Sequence, residues 1–203
     1  MAGWRKHTGR AVALPIDNVD TDQLIPARFM STSRAEGYGG YLLHDLRRGG
    51  DGALLPGFPL NRYTDASILL AGRNFGSGSS REAAVYALVD AGFRAVIAPG
   101  FGDIFASNAV NNGLLPAQVN VDDCAALAEV LGDGSAEITV DLEHGRLRLG
   151  DLTVPFELDD SWRVKLINGW DDIDLTRQHG EDIAQFRATR SQTAPWAWPT
   201  AAD

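Results

Sequence analysis

One short segment in the middle of the chain combines residue types that can bind and activate an anion. We call it the serine loop: residues 74–82, with the sequence NFGSGSSRE. It lies between an apolar stretch and a helical pattern, where unpaired backbone N–H groups and the positive end of a helix dipole favour anions. Gly76 and Gly78 permit a tight turn, and Arg81 can hold a carboxylate through two parallel hydrogen bonds. The segment therefore predicts a carboxylate or phosphate site.

A purely structural interpretation of the same segment competes with this one. Ser79 and Glu82 have the spacing of a capping box, in which Ser79 would be the N-cap and Glu82 its partner three residues later. Spacing alone favours the cap. Nucleotide binding is excluded, because the dinucleotide pattern needs a third glycine and a P-loop needs a lysine after its last glycine.

The elements around the serine loop follow from apolar periodicity. Residues 66–71 predict a strand, residues 80–91 a helix that Gly92 ends, and residues 94–98 a second strand. A strand, a helix and a second strand in succession favour parallel pairing of the two strands. The serine loop should then lie at the carboxyl end of the first of these strands.

The rest of the chain gives weaker patterns. The carboxylates of residues 17–22 indicate a loop, and the Ser, Thr and Gly residues of 31–40 indicate a mobile loop. Further elements are expected as a strand at 10–14, helices at 42–48, 104–112 and 122–131, a hairpin at 137–142 and 146–149, and a helical tail in two pieces at 160–188.

Composition and charge exclude several functional classes. The 203 residues are 44% hydrophobic and 22% charged, as in ordinary globular proteins, and we expect one domain over residues 1–203. The net charge of −9, without a basic cluster, argues against a nucleic-acid partner. No apolar run approaches the roughly 20 residues that span a bilayer, and the N-terminus lacks a signal-peptide core. We therefore expect no membrane association and a cytoplasmic location.

The metal-binding residue types are sparse. Cys124 is the only cysteine, and one thiolate cannot hold an iron–sulfur cluster. The four histidines are scattered without the pairing at helical spacing that a zinc site needs, and we interpret them as surface or core residues. We expect no metal site and no cofactor in this chain, so that any metal chemistry must come from another protein.

The serine loop resembles the active-site serine loop of the aconitase superfamily. Other blocks are similar, in the same order, to the small-subunit family of isopropylmalate isomerases; these are residues 18–26, 91–98, 102–105 and 113–116, with a weaker likeness at 168–176. The resemblance covers nearly the whole chain. It implies an α/β fold, a swivelling β/β/α domain of the aconitase C-terminal type with a strand, serine loop, helix and strand at its core.

The resemblance also assigns roles within the site. Ser79 would be the base that removes a proton from the carbon next to a substrate carboxylate, with Ser80 and Arg81 binding that carboxylate. Asp22 matches an active-site acid, although on local grounds an Asx turn that closes its loop is an equal alternative. Arg28 is a candidate for a second carboxylate contact. A serine is too weak a base in water, so the helix N-terminus and the arginine must stabilise its alkoxide.

A partner is implied as well. In the resembling superfamily a [4Fe-4S] cluster acts as Lewis acid on the departing hydroxyl, and its cysteine ligands lie on a large subunit. The expected activity is that of a hydro-lyase, active only as a heterodimer with that subunit, which isomerises the dicarboxylates 2- and 3-isopropylmalate in leucine biosynthesis. In this family the specificity loop approaches the substrate's alkyl group; here its residues are Met30, Ser31, Thr32, Ser33, Arg34 and Tyr38.

Two departures from the family pattern leave alternatives open. Ser77 replaces a common cysteine, and Ala83 replaces the usual histidine. The second change weakens the assignment of the substrate, so a related hydro-lyase acting on citraconate, homoaconitate or another substituted malate is an alternative. From another class, the chain would be a non-catalytic subunit that only stabilises its partner, which needs none of Ser79, Ser80 and Arg81.

Overall fold

The computed structural model describes residues 2–79 and 81–198, and its framework is one mixed sheet. The strands are β1 (Lys6–Leu14), β2 (Ile68–Ala71), β3 (Ala95–Ala98), β4 (Leu115–Gln118), β5 (Ser135–Asp141), β6 (Arg146–Leu149) and β7 (Leu152–Pro155). Their order across the sheet is β4-β3-β2-β1-β5-β6-β7. β1 to β4 pair in parallel, whereas β5, β6 and β7 join as antiparallel neighbours from the other edge of β1.

The helices connect the strands or close the chain. They are α1 (Thr21–Leu24), α2 (Pro59–Arg62), α3 (Glu82–Asp90), α4 (Asp103–Asn111), α5 (Val121–Leu131), α6 (Asp160–Asn168), α7 (Asp172–Arg177) and α8 (Gly180–Thr193). In the part of the chain that is described, none of them combines the length and the apolarity that a bilayer span requires.

The core lies on both faces of the sheet. Along a strand successive side chains point to opposite faces, so Leu69 and Val96 pack into one apolar cluster while Ile68 and Ile97 pack into another. Every residue of β2 and β3 is buried, as expected for parallel strands covered on both sides. The first cluster is covered by α1 and α3, and the second by α5, α6 and the antiparallel strands.

The predicted strand, serine loop, helix and strand unit is confirmed as β2, residues 72–81, α3 and β3. The helix predicted at 42–48 is wrong. This segment forms turns, and Leu43 has a left-handed backbone with φ +49°. Leu42 and Leu43 are fully buried, and the Leu43 N–H donates to the Leu24 carbonyl 2.9 Å away. Tertiary contacts therefore override the local helical pattern.

Three further differences concern β1, β7 and the tail. β1 begins at Lys6 rather than at residue 10, and its added residues pair with β5. β7 was not predicted. The tail forms three helices instead of two, because Gly169 ends α6 in a left-handed C-cap and α7 ends before Gly180 begins α8.

Candidate active site

The serine loop leaves the carboxyl end of β2 and enters α3 through a backbone that only glycine accepts at one point. Gly76 has φ +72°, and a Cβ atom there would lie 2.2 Å from the ring of Phe105. Phe105 is buried, and its ring meets that of Phe75 edge-on, with 5.5 Å between centroids. The loop therefore packs directly against the buried ring of Phe105.

A second segment holds the serine loop from the side of the β1–α1 connection. Thr21 is buried, and its hydroxyl donates to the Ser79 carbonyl at 2.8 Å while its backbone N–H donates to the Ser77 carbonyl at 3.0 Å. The Gly76 N–H donates to the Val19 carbonyl at 2.7 Å. These bonds fix the main chain of the loop at the residues that precede α3, so the position of Ser79 depends on Thr21.

The start of α4 holds the loop from the opposite side. The Phe75 N–H donates to the Gly100 carbonyl at 3.0 Å, and the Gly102 N–H donates to the Phe75 carbonyl at 2.9 Å. A Cβ atom on Gly102 would lie 2.6 Å from the Gly76 oxygen, so α4 approaches as closely as backbones can. Three loops, following β1, β2 and β3, thus meet at one end of the parallel strands, where open α/β sheets bind ligands.

A cavity of about 170 Å³ opens between these loops. Its wall combines the glycines of the serine loop with Ser79, Arg81, Thr21, Asp103 and Ile104. Ser79 is exposed there. The first turns of α3 and α4 both lie beside the loop, and their dipoles place partial positive charge at this end of the sheet. The cavity suits an anionic ligand.

Arg81 points to this cavity and is already paired. Its Nη1 donates to Oδ1 of Asp22, and the same nitrogen lies 3.9 Å from Sδ of Met30. The Arg81 side chain is 25% exposed and the Asp22 side chain 56% exposed, so the pair lies at the mouth of the cavity rather than in the core. A guanidinium has five N–H donors, and among the described residues only Nη1 is engaged.

The capping interpretation of the serine loop is wrong. α3 begins at Glu82, its N-cap is Arg81, and no side chain of the described residues caps it. Glu82 instead accepts a hydrogen bond from Asn112 at 2.9 Å. The local Asx role proposed for Asp22 falls to Asp20, which caps α1 in a capping box with Gln23. Ser79 and Asp22 therefore have no capping duty.

The predicted second carboxylate contact lies elsewhere in this structure. Arg28 binds Asp45 through both Nη atoms, and its guanidinium stacks on Phe29 at 4.6 Å from the ring centroid. The Arg28 guanidinium is the main reason why the pKa of Asp45 falls to about 2. None of the contacts described for Arg28 is with a residue of the serine cavity, and its role in substrate binding stays a prediction. Ser80, the other predicted carboxylate ligand, lies outside the described residues.

The predicted specificity loop is folded against α3. Arg34 donates to both carboxylate oxygens of Asp90, at 2.6 and 2.9 Å, and stacks on Tyr86. Tyr38 is 7% exposed, and its hydroxyl donates to the Thr32 carbonyl at 3.0 Å. The remaining loop residues are more local, with Ser31 donating to the Arg28 carbonyl and Ser33 accepting from the Ala35 N–H. Of this set Met30 alone contacts a residue of the cavity among the described contacts.

Several residues of the cavity, among them Thr21 and Ile104, have no role in the sequence-based hypothesis. Thr21 is the neutral member of an Asp-Thr-Asp run, and Ile104 lies within a block shared with the family. Thr21 binds Ser79 from a segment about 60 residues away, and Ile104 joins the cavity from about 25 residues after Ser79. No local signal in the sequence identifies such contacts.

The histidines and the cysteine take no part in the cavity. His7 lies 2.8 Å from the Ser67 hydroxyl, and burial, followed by the charge of Arg94, lowers its pKa. Cys124 packs on the other face of the sheet, 3.7 Å from the Ala71 carbonyl, and burial raises its pKa. Within residues 2–79 and 81–198 no three His, Cys, Asp or Glu residues lie close enough together to hold a metal ion.

The chain is similar to known proteins both in its family model and in its sequence. Residues 1–121 match the model of the aconitase C-terminal domain. The chain is 46% identical over 187 residues to the 3-isopropylmalate dehydratase small subunit of Shouchella clausii, covering 91% of this chain and 95% of that one. It is 47% identical over 200 residues to the small subunit of the same name from Frankia alni, covering 97% and 100%.

A solved structure shares the architecture. The crystal structure of 3-isopropylmalate dehydratase from Methanocaldococcus jannaschii superposes with a TM-score of 0.65 at 26% identity, over 89% of this chain and 98% of that chain. Together with the family match, it confirms the predicted α/β swivelling domain of the aconitase C-terminal type.

Proposed function

The chain belongs to the family of 3-isopropylmalate dehydratase small subunits, within the aconitase C-terminal domain family, and from this premise we propose that it is the small subunit of a hydro-lyase that interconverts 2- and 3-isopropylmalate. The reaction removes water and adds it back at the neighbouring carbon, a step of leucine biosynthesis. The observation that carries the proposal is the exposed Ser79 in one cavity with the Arg81 guanidinium.

Ser79 acts as the base in this proposal. It takes the proton from the carbon next to a substrate carboxylate, and its alkoxide must be stabilised for that to happen at neutral pH. The first turn of α3, which begins three residues further on, supplies positive dipole charge, and Arg81 supplies a full charge in the same cavity. The Thr21 bond to the Ser79 carbonyl holds the main chain at Ser79 without engaging its hydroxyl.

Arg81 binds the substrate carboxylate. The Asp22 carboxylate orients the guanidinium through Nη1, which leaves its other donors for a two-pronged contact. Asp22 is more than half exposed, so it remains accessible to water or to a side chain of another subunit. Its part in catalysis is therefore to position Arg81 and to face the partner.

The partner is a large subunit. The relatives carry the name small subunit, which implies one. The leaving hydroxyl needs a Lewis acid, which a [4Fe-4S] cluster supplies when bound. Cys124, the only cysteine of the sequence, lies half-buried on the face of the sheet opposite the first cluster, where it cannot reach the serine cavity. We therefore place the cluster on the large subunit, with the cavity open towards it.

We also propose that the chain acts as one domain. The sheet draws β1 from the start of the chain and β5 to β7 from its second half, and β1 pairs with β5 along seven residue positions. The serine loop is then carried on a single rigid body, as a swivelling domain requires.

Anaerobic co-purification with the large subunit tests this function. The complex should convert 2-isopropylmalate to 3-isopropylmalate through the dehydrated acid, and each subunit alone should be inactive. A panel of substituted malates assayed in parallel distinguishes the proposal from its relatives. Turnover and a visible iron–sulfur absorption from this chain alone would contradict it, as would a preference of more than about a hundredfold for a smaller malate, which exceeds what one or two methylenes give.

A further inference from the structure

We infer that Ile104 is a specificity-determining residue, the apolar contact for the alkyl substituent of the substrate. This inference rests on the proposed function and deepens it, because it names the side chain that separates a branched malate from a smaller one.

Ile104 lies at the start of α4, in the wall of the serine cavity. It is the second residue of α4 and lines the serine cavity together with Ser79 and Arg81. Its side chain is 54% exposed, although an isoleucine in a helix of the core usually packs inward. Its neighbour Phe105 is buried under Gly76. An apolar side chain thus faces the same space as the serine hydroxyl and the guanidinium.

The start of α4 is fixed in place against the serine loop. The Gly102 N–H donates to the Phe75 carbonyl at 2.9 Å, and Phe101 and Phe105 stack with 6.3 Å between ring centroids. The start of α4 is therefore fixed to the serine loop on which Ser79 lies. A specificity contact must be held at a set distance from the reacting group, and Ile104 is held by the backbone that also holds Ser79.

Two apolar side chains of the predicted specificity loop are less exposed than Ile104. Tyr38 is buried and its hydroxyl is bonded to Thr32, while Met30 is partly buried with its sulfur against Arg81. An alkylmalate has two carboxylates and a hydroxyl on its polar side and one alkyl group on the other. The cavity offers both kinds of group, since Ser79, Arg81 and Asp103 are polar and Ile104 is an exposed apolar side chain of its wall.

The test compares two substrates in the reconstituted complex. We measure kcat/KM for isopropylmalate and for a methyl-substituted malate with the wild type, Ile104→Val and Ile104→Ala. The alanine variant should lower the ratio of the two kcat/KM values by about tenfold or more, and valine by less, because only the larger substituent reaches the removed carbons. Ile173→Ala is the matched control, since Ile173 is also the second residue of a helix and is 63% exposed. It should leave the ratio unchanged.

The outcomes separate the inference from the proposed function. If the wild-type complex is active but Ile104→Ala lowers both substrates equally and weakens subunit association in sedimentation, Ile104 is an interface contact and the inference is overturned. An unchanged ratio with full association also overturns it. If the wild-type complex turns over neither malate, the proposed function fails and the inference fails with it.

Discussion

Two ion pairs of this protein, each between one cation and one aspartate, differ in their surroundings. Arg81 and Asp22 pair at the mouth of the serine cavity, with side chains that are 25% and 56% exposed. In the pair of Lys165 with Asp172, beside α4, the Asp172 side chain is 67% exposed but the Lys165 side chain only 3%. The first pair keeps a cation within reach of a ligand, whereas the second removes one from solvent.

The difference teaches where function and stability lie in this fold. Asp172 also accepts a hydrogen bond from Asn111 at 2.9 Å, so three elements, α4, α6 and α7, meet at one carboxylate. Hydrogen bonds from Lys165 and then Asn111 lower the pKa of Asp172. Arg81, by contrast, has donors to spare among the described residues. The hydrogen-bonded Lys165–Asp172 pair therefore stabilises the fold, whereas the N–H donors of Arg81 that the described residues leave free are available for a substrate.

Breaking the Lys165–Asp172 pair should lower stability rather than activity. Asp172→Ala removes the partner of the Lys165 ammonium, but the Asp172 carboxylate is 67% exposed, so the free energy of unfolding should fall by about 2 kcal/mol, less than for a fully buried pair. Urea unfolding measures this loss, and kcat of the reconstituted complex should stay unchanged. Asp160→Ala is the control, because that carboxylate is 99% exposed and 3.8 Å from Arg163. Equal effects of the two substitutions would refute the distinction.

Changing the exposed pair should instead affect substrate binding. Arg81→Lys retains the charge but loses the planar two-pronged contact, so KM should rise by roughly 10- to 100-fold while kcat changes only a few-fold. The free energy of unfolding should stay within about 0.5 kcal/mol of the wild type. Arg73→Lys is the matched control. Arg73 binds the Asp17 carboxylate through two nitrogens, which is the contact proposed between Arg81 and the substrate. If both lysine variants raise KM equally, Arg81 does not bind the substrate.

The sequence predicts the region around the first pair better than the region around the second. The serine loop and its flanking strands are predictable because apolar runs and glycines are local signals. The role of Ser79 comes from the family resemblance. The left-handed Leu43 could not be predicted, since a buried tertiary contact with Leu24 imposes it. The same holds for the Arg28 pair with Asp45, where the sequence cannot say which of several acids lies within reach.

A smaller effect on kcat is expected at Thr21, which fixes the main chain of the serine loop and does not contact the substrate. Thr21→Val removes the hydroxyl that donates to the Ser79 carbonyl and keeps the side-chain shape. A lost hydrogen bond of about 1 kcal/mol should lower kcat by roughly fivefold with KM unchanged. Thr21→Ser should restore the rate, because it restores the donor. A merely structural Thr21 would lower stability in both variants and leave kcat at the wild-type value.

An effect on stability alone should appear as a pH dependence in the antiparallel half. Burial opposes ionisation of Asp141, but hydrogen bonds from His144 and Lys6 bring its pKa down to about 2. A lowered folded-state pKa stabilises the fold above the unfolded value of about 3.9, and this contribution is lost as the pH falls towards the folded value. Asp141→Asn should therefore be less stable than wild type at pH 6 and nearly equal to it near pH 2. A constant difference between the two pH values would contradict this.

The central claim is that this chain supplies the base, and Ser79→Ala in the reconstituted complex tests it most directly. General-base catalysis is worth about 10²- to 10⁴-fold, so kcat should fall by that factor while KM stays within a few-fold and the unfolding midpoint does not move. Ser77→Ala, in the same loop, is the control and should stay near the wild type. A Ser79→Ala complex that keeps near-full kcat would contradict the account.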